Sequence, residues 1–475
     1  MKKGKKKSGL LMVLLLIFCF SITVCAKEYN SNFAENALCV LLDQKTVSFS
    51  AAFSEVPMGD DGMLYLYELA PYEYEIPINE EPIAVTAAST NPTFTFPLNH
   101  KTENTKLYSK FVVAIHSGGV KIGLCNPQYI VNPEVLATHT KARTEHSFAS
   151  TQSACFTNLN IRDSYDSSYY LDRVVQVMCK NQSLTLTNPY VKIGDIHPVA
   201  HQGYYMLNAS NEAGVKTLAN VLSQYAANSK GEDWLIGNEV NNRKWNYIAW
   251  TDWDTYIREY EQVFRVAYNA IKSENANARV YICLEQDWDR NRQPSHQEYY
   301  EYIDAKDFIQ KFNENISKSG NIDWGVSEHP YIVPMTYAKF WDMSGCPEGA
   351  YMERMVKSNA MLSFQNLSIL TDYMQQPELL NPQGNVRHII CSEIGITSAQ
   401  GEDVQAAALY ASYYAAKSNP YIEQIIYLTY SPGYGFELTG TAKDVFNNMQ
   451  GPNAATYDEW AKAVIGISDW SQVLR

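Results

Sequence analysis

Trp234-Leu235-Ile236-Gly237-Asn238-Glu239-Val240-Asn241 decides how the rest of this chain reads. Three apolar residues and a glycine run into an amide and a carboxylate. That is the pattern of a short buried strand whose C-terminal end opens onto polar chemistry. Its surroundings are helical. Asn211–Ala227 reads as a helix, Asp233–Glu239 as the strand, and Trp253–Ser273 as a second helix. In that second helix Tyr256, Ile257, Tyr260, Val263, Phe264, Ala267 and Ile271 recur at i, i+3/i+4 spacing on one face.

The alternation continues towards the C-terminus. Arg279–Leu284, Asp323–Glu328, Val386–Glu393 and Ile422–Tyr430 read as strands. Asp304–Lys318 (stopped by Gly320), a stretch around Met361–Gln375, and Glu402–Lys417 read as the helices between them. Such alternation predicts a parallel α/β sheet, either doubly wound or closed into a barrel. The strand ends separate the two. They run Gly-Asn-Glu, Leu-Glu-Gln-Asp-Trp, Glu-His-Pro-Tyr, Ser-Glu-Ile-Gly and Tyr-Ser-Pro, and none is followed by a Gly-rich phosphate loop. Chemistry gathered at the C-terminal ends of many strands is the habit of the (β/α)8 TIM barrel, which is the expected fold. Its N-terminal part is less legible. Ser153–Ile161 and Ser183–Ile193 are plausible strands, yet Asn132–Ser210 is short for three βα units. A degenerate first strand and an incomplete barrel both remain open.

Upstream the pattern changes. Val47–Phe53, Met63–Leu69, Ile83–Ala88, Thr93–Leu98 and Phe111–Ile115 are short runs punctuated by Pro57, Asp60-Asp61-Gly62, Asn91-Pro92 and Gly118-Gly119. They predict a small all-β, sandwich-like domain over 27–135, ahead of a barrel domain over 136–475. Residues 1–26 read as a signal peptide: five lysines among the first seven residues, an apolar Leu10–Val24, and Val24 and Ala26 as the small residues before cleavage. Secretion is therefore expected, with lipid anchoring through Cys25 as the less favoured alternative because Val24 suits a lipobox poorly.

Composition narrows the partners. A formal charge of −13 without a later basic run argues against nucleic acid and anionic lipid, and favours a neutral or cationic substrate. No second segment could span a bilayer. The seven cysteines after residue 26 are scattered and odd in number, with no CxxC pair, so neither a disulfide framework nor a zinc site is expected. His197 and His201 have metalloprotease spacing, but Pro198 and the missing glutamate oppose a metal role. No cofactor is expected. The 34 Tyr, 17 Phe and 9 Trp suit sugar faces, although ordinary core packing would use them equally well.

A strand ending in Asn238-Glu239 resembles the fourth strand of the large clan of retaining TIM-barrel glycosidases. Ser392-Glu393-Ile-Gly395, on the third strand after it, resembles the clan's seventh, and His329-Pro-Tyr331 between them resembles the sixth. The resemblance implies Glu239 as general acid/base, Glu393 as nucleophile, and Asn238 as a ligand of the sugar's 2-hydroxyl. It also implies that His329 or Tyr331 hydrogen-bonds the nucleophile. Trp288, Trp245 and Asp287 are further candidate substrate contacts, with Tyr427 a weaker one; a rim-packing Trp288 is an equal reading. The longer pattern is similar to a family of secreted bacterial proteins of unknown function with this barrel. It comprises Gly-Asn-Glu-Val-Asn, Trp245-Asn-Tyr247, Asp323-Trp-Gly-Val, Ser-Glu-x-Gly and Gln405-Ala-Ala-Ala408. Glu285-Gln286 and Ile394 depart from it, where Asp-His and Gln are expected.

Retention needs two carboxyl groups about 5–5.5 Å apart, and strands four and seven face each other across a barrel mouth. The expected function is hydrolysis of a poly- or oligosaccharide by double displacement. The alternative is a carbohydrate-binding or surface protein on the same barrel. Glu239, Glu285, Glu328 or His329, Glu393 and Tyr430 are expected on one rim.

Overall fold

A computed structural model describes residues 33–138, 141–180, 185–191, 203–249, 252–290 and 302–475. Residues 1–26, read above as a signal peptide and including Cys25, lie outside them, as do His197 and His201. The chain forms two compact units that part between Val131 and Asn132.

The N-terminal unit is a pair of antiparallel sheets. One has the order β1 (Asn36–Leu41), β2 (Thr46–Ala52), β5 (Thr93–Pro97). The other runs β4 (Ala84–Ala87), β3 (Met63–Leu69), β6 (Lys110–Ser117), β7 (Val120–Gly123), with β8 (Gln128–Tyr129) also on β6. Alternation shows why they pack: in β5, Phe94 and Phe96 are buried while Thr93, Thr95 and Pro97 are exposed. Phe96 meets Phe111 of the other sheet at 4.7 Å between ring centroids, and Phe49 meets Phe94 at 6.3 Å. Burying each such ring stabilises the sandwich by about 1.5–3 kcal/mol. Gly118 and Gly119, at φ +61° and +79°, make the two-residue hairpin from β6 to β7. That turn needs positive φ at both places, which glycine supplies without strain.

The second unit is the barrel. Its parallel strands follow the order β10 (Phe156–Asn160), β11 (Val174–Lys180), β13 (Asp233–Ile236), β14 (Arg279–Glu285), β15 (Trp324–His329), β16 (Ile389–Ile394), β17 (Ile422–Tyr427), β9 (Ala149–Thr151). A short β12 (Tyr204–Tyr205) lies antiparallel on the end of β11. Eight strands laid flat would hold their outer members about 34 Å apart. The two outer strands here, β9 and β10, are joined by one helical turn, α1 (Gln152–Cys155). The five Cα steps from Thr151 to Phe156 reach at most about 19 Å. The sheet therefore curls on itself, and Phe156, Val174, Leu235, Tyr281, Cys283, Ile390 and Ile426 fill its interior.

Helices cover the outside from β11 onward: α2 (Glu212–Asn228), α3 (Trp253–Glu274), α4 (Ala305–Lys318), α5 (Gly349–Lys357), α6 (Ser368–Tyr373), α7 (Glu402–Ser418), α8 (Gly440–Asn448) and α9 (Ala454–Ile465). Asn211 and Asp252 cap α2 and α3 through their side chains. Phe264 of α3 packs edge-on against Phe312 of α4, and Phe312 against Trp324 of β15, so one aromatic column ties helix to helix to strand.

Three expectations change. Ser153–Ile161 is a helical turn before it is a strand. The strand expected at Ser183–Ile193 is instead β11, a β-branched buried run, while the described part of that stretch (185–191) makes only a bridge from Thr187 to Leu207. The stretch Met361–Gln375 is not one helix. Leu362 N–H donates to the Gln286 carbonyl and Met361 bridges Asp287, which holds this part extended until the Ser363/Asn366 capping box starts a new turn.

The seam between β9 and β10 has its own repair. Ala149 turns its N–H and C=O towards the missing neighbour, and the Gln450 amide takes both, at 2.7 and 2.9 Å. A side-chain amide thus stands in for a strand.

Candidate active site

The site begins where β13 stops. Gly237 adopts φ +84° and Glu239 φ +46°, so the strand kinks out of its ladder. A non-glycine residue in the left-handed region is strained by about 1–3 kcal/mol and must be held there. The restraint comes from both sides. Tyr260 and Tyr256, one turn apart on α3, donate to the carbonyls of Ile236 (2.6 Å) and Val240 (2.9 Å), which the kink removes from the sheet. Val240 N–H donates to Cys283 of β14 at 2.7 Å. Asn238 Oδ1 accepts from Gln176 Nε2 of β11 at 2.6 Å.

The kink turns Glu239 to His329, the last residue of β15. His329 Nδ1 lies 3.0 Å from Glu239 Oε1. Its Nε2 lies 3.1 Å from Ser392 Oγ and 3.3 Å from Cys283 Sγ. The ring is buried, which alone would push its pKa down. The Cys283 sulfur, the Glu393 carboxylate and the hydrogen bond to Glu239 outweigh that burial and raise it well above the ordinary imidazole value. The raised pKa favours the form in which both ring nitrogens carry a proton. Ser327 Oγ donates to Ser392 Oγ at 2.5 Å and steadies the acceptor.

Glu393, near the end of β16, is held at both oxygens. Tyr331 O–H donates to Oε1 at 2.6 Å, and Gln152 Nε2 at the start of α1 donates to Oε2 at 3.0 Å. Burial, then the Glu393 charge, raises the Tyr331 pKa well above the usual phenol value, so it stays a donor. Tyr331 in turn rests against Phe436, 6.1 Å between centroids. A Cβ on Gly395 would fall 2.2 Å from that ring, which is why a glycine follows two residues after Glu393.

The other candidates sit as follows. Glu285 is bonded to Asn241, whose Oδ1 accepts from Glu285 N–H at 3.0 Å. Glu328 lies one residue from His329 and hence on the opposite face of β15; it is fully buried, and neither carboxyl oxygen has a hydrogen-bond partner among the described residues. Burial first, and the Glu239 charge second, push its pKa up to about 8 against the pull of His329. Trp245 is half-buried, 5.6 Å from Tyr204. Trp288 is buried and edge-on to Tyr373 at 5.4 Å, so its ring is engaged in packing. Asp287 pairs with Arg290 at 3.0 Å. Tyr427 is buried and bonded to Ser412 of α7. Tyr430 lies beyond β17 and is 69% exposed.

Sequence reasoning missed Gln152, Gln176, Cys283 and Ser392. A lone amide in Val174-Val-Gln-Val was a signal for Gln176, and Ser392 stood inside a quoted motif. Gln152 lies in a four-residue turn without a pattern. The seven cysteines of the described residues are free. Among the described residues no cluster of three or more His, Cys, Asp or Glu could hold a metal, and no helix is long and apolar enough to cross a membrane.

Solved structures similar to this one are glycoside hydrolases. A family 39 glycoside hydrolase from the gut symbiont Bacteroides cellulosilyticus WH2 is 12% identical, with 87% of this chain and 83% of that one covered at a TM-score of 0.38. A glucosidase from Croceicoccus marinus is 12% identical over 48% of this chain and 41% of its own, TM-score 0.29, so the chain spans under half of that relative. A family 44 xyloglucanase from Paenibacillus polymyxa is 10% identical over 58% and 59%, TM-score 0.33. Likenesses this distant say nothing of the present chain's substrate. No curated protein shows significant sequence similarity to the chain. Residues 167–473, most of the barrel and both glutamates, match a family of unknown function (DUF5722), and the chain belongs to that family.

Proposed function

We propose that this protein is a retaining glycoside hydrolase acting on a poly- or oligosaccharide, with Glu393 as nucleophile and Glu239 as general acid/base. The observation that carries the reading is the asymmetry of the two carboxyl groups. Glu393 accepts from two neutral donors, Tyr331 and Gln152, an arrangement that fits an anionic oxygen pair. Glu239 instead faces Nδ1 of a buried imidazole whose pKa is raised, a ring through which a proton can be passed. One ring reaches from Glu239 to Ser392, the residue before Glu393, and retention needs the two carboxyl groups about 5–5.5 Å apart.

In the first step a Glu393 oxygen attacks the anomeric carbon as the bond to the leaving oxygen breaks, and Glu239 protonates that oxygen. Glu239 then deprotonates a water that displaces Glu393. Asn238 and Trp245 are candidate sugar contacts. The kink at Gly237–Glu239 favours catalysis over binding alone, since strain maintained by two tyrosines serves to aim a reacting group.

Turnover should be measured on 2,4-dinitrophenyl glycosides. Glu393→Gln is expected to abolish it. Glu239→Ala is expected to keep glycosylation, stall at the glycosyl-enzyme, and recover 10-fold or more with azide, giving a glycosyl azide of retained configuration. Rescue of the Glu393 variant with inversion would reverse the roles, and full activity in both variants would end the proposal. We also read residues 1–26 as a secretion signal; N-terminal sequencing of exported protein should begin near Lys27.

A further inference from the structure

We propose that Gln152 is a positioning residue for Glu393, and that the break in the barrel between β9 and β10 exists to deliver it. This rests on Glu393 being the nucleophile. In an unbroken barrel the first strand would run on past Thr151. Here it stops, and α1 begins with Gln152, whose amide donates to Glu393 Oε2 at 3.0 Å. The backbone of the shortened strand is secured on the seam side, because Gln450 occupies both polar groups of Ala149. Cys155 Sγ contacts the Thr151 carbonyl at 3.5 Å and closes the turn from below.

Tyr331 and Gln152 each hold one oxygen of Glu393, which removes the carboxylate's freedom to rotate about its last bond. Among the described residues no lysine or arginine hydrogen-bonds Glu393. Both groups that hydrogen-bond it are neutral, so they orient it with less electrostatic pull than a lysine or arginine in contact would exert. When one oxygen forms the glycosyl ester, it gives up a neutral hydrogen bond, and the other stays gripped as the ester carbonyl.

Full-length protein carrying Gln152→Ala or Gln152→Glu would be compared with wild type on the 2,4-dinitrophenyl glycoside that wild type turns over fastest. For Gln152→Ala we expect kcat to fall 10- to 100-fold with KM within about 3-fold, because ground-state binding does not use the amide. Gln152→Glu places a second carboxyl beside Glu393, and two such groups tend to share one proton. The acid limb of its kcat/KM profile should move up by a pH unit or more, a change that a purely structural residue would not produce. Normal kcat in the first variant with an unmoved profile in the second would overturn the proposal while Glu393→Gln still abolishes turnover. If Glu393→Gln remains active, or wild type is inert on every glycoside, the underlying reading falls and Gln152 with it.

Discussion

His329 joins Glu239 to Ser392, and its replacement separates what a titratable ring does from what the ring fills. His329→Gln keeps a donor of similar reach but cannot pass on a proton. Loss of assisted proton transfer is worth about 10²–10⁴-fold. That full loss is expected in kcat/KM for unactivated glycosides, with less than about 10-fold for dinitrophenyl leaving groups, which depart with little protonation. Equal losses for both would show that His329 acts on position alone. The residue scale was also where the sequence spoke most clearly: Glu239, His329, Tyr331 and Glu393 stand at strand ends, where an apolar run turning polar is visible in one dimension. It spoke least where a side chain works from outside any repeat. Gln152 and Gln450 belong to a four-residue turn and a loop, and their partners are 241 and 301 residues away.

At the scale of elements, the barrel has its eight parallel strands but neither a ladder between β9 and β10 nor a full set of βα units. No helix of more than four residues separates β9, β10 and β11. This explains why Asn132–Ser210 looked too short: three strands share what normally holds three strands and two helices. Periodicity could not reveal β9, because three residues carry no period. The strand is stable nonetheless because its open edge is covered. Gln450→Leu would leave a backbone N–H and C=O without partners at the seam, and each such group costs about 1–3 kcal/mol when buried. For the two groups together the expected loss is about 2–6 kcal/mol, measured as a lower urea midpoint with an unchanged slope. An unaltered midpoint would mean that water satisfies Ala149 as well as Gln450 does.

Across the whole molecule, one buried group should show itself in the pH dependence of stability. Glu328 is raised to about 8 from the ordinary 4.5, so folding favours its protonated form. Its contribution is fully present below the ordinary value and drains away as pH climbs towards 8. Between pH 5 and 8, wild type should lose on the order of 3 kcal/mol more unfolding free energy than Glu328→Gln. Chemical denaturation at the two pH values checks this, and parallel losses would place the carboxyl in a wetter setting. The seam has a consequence of another kind, in time. Ala149 finds its ladder partner in Ile425 and its amide cover in Gln450, both near the far end of the sequence. Contacts this distant form late. A nascent chain that has emerged only as far as α7 therefore holds β9 with no neighbour on either side. The barrel cannot lock before Ile425 and Gln450 have been made, and until then the polypeptide stays slack and threadable.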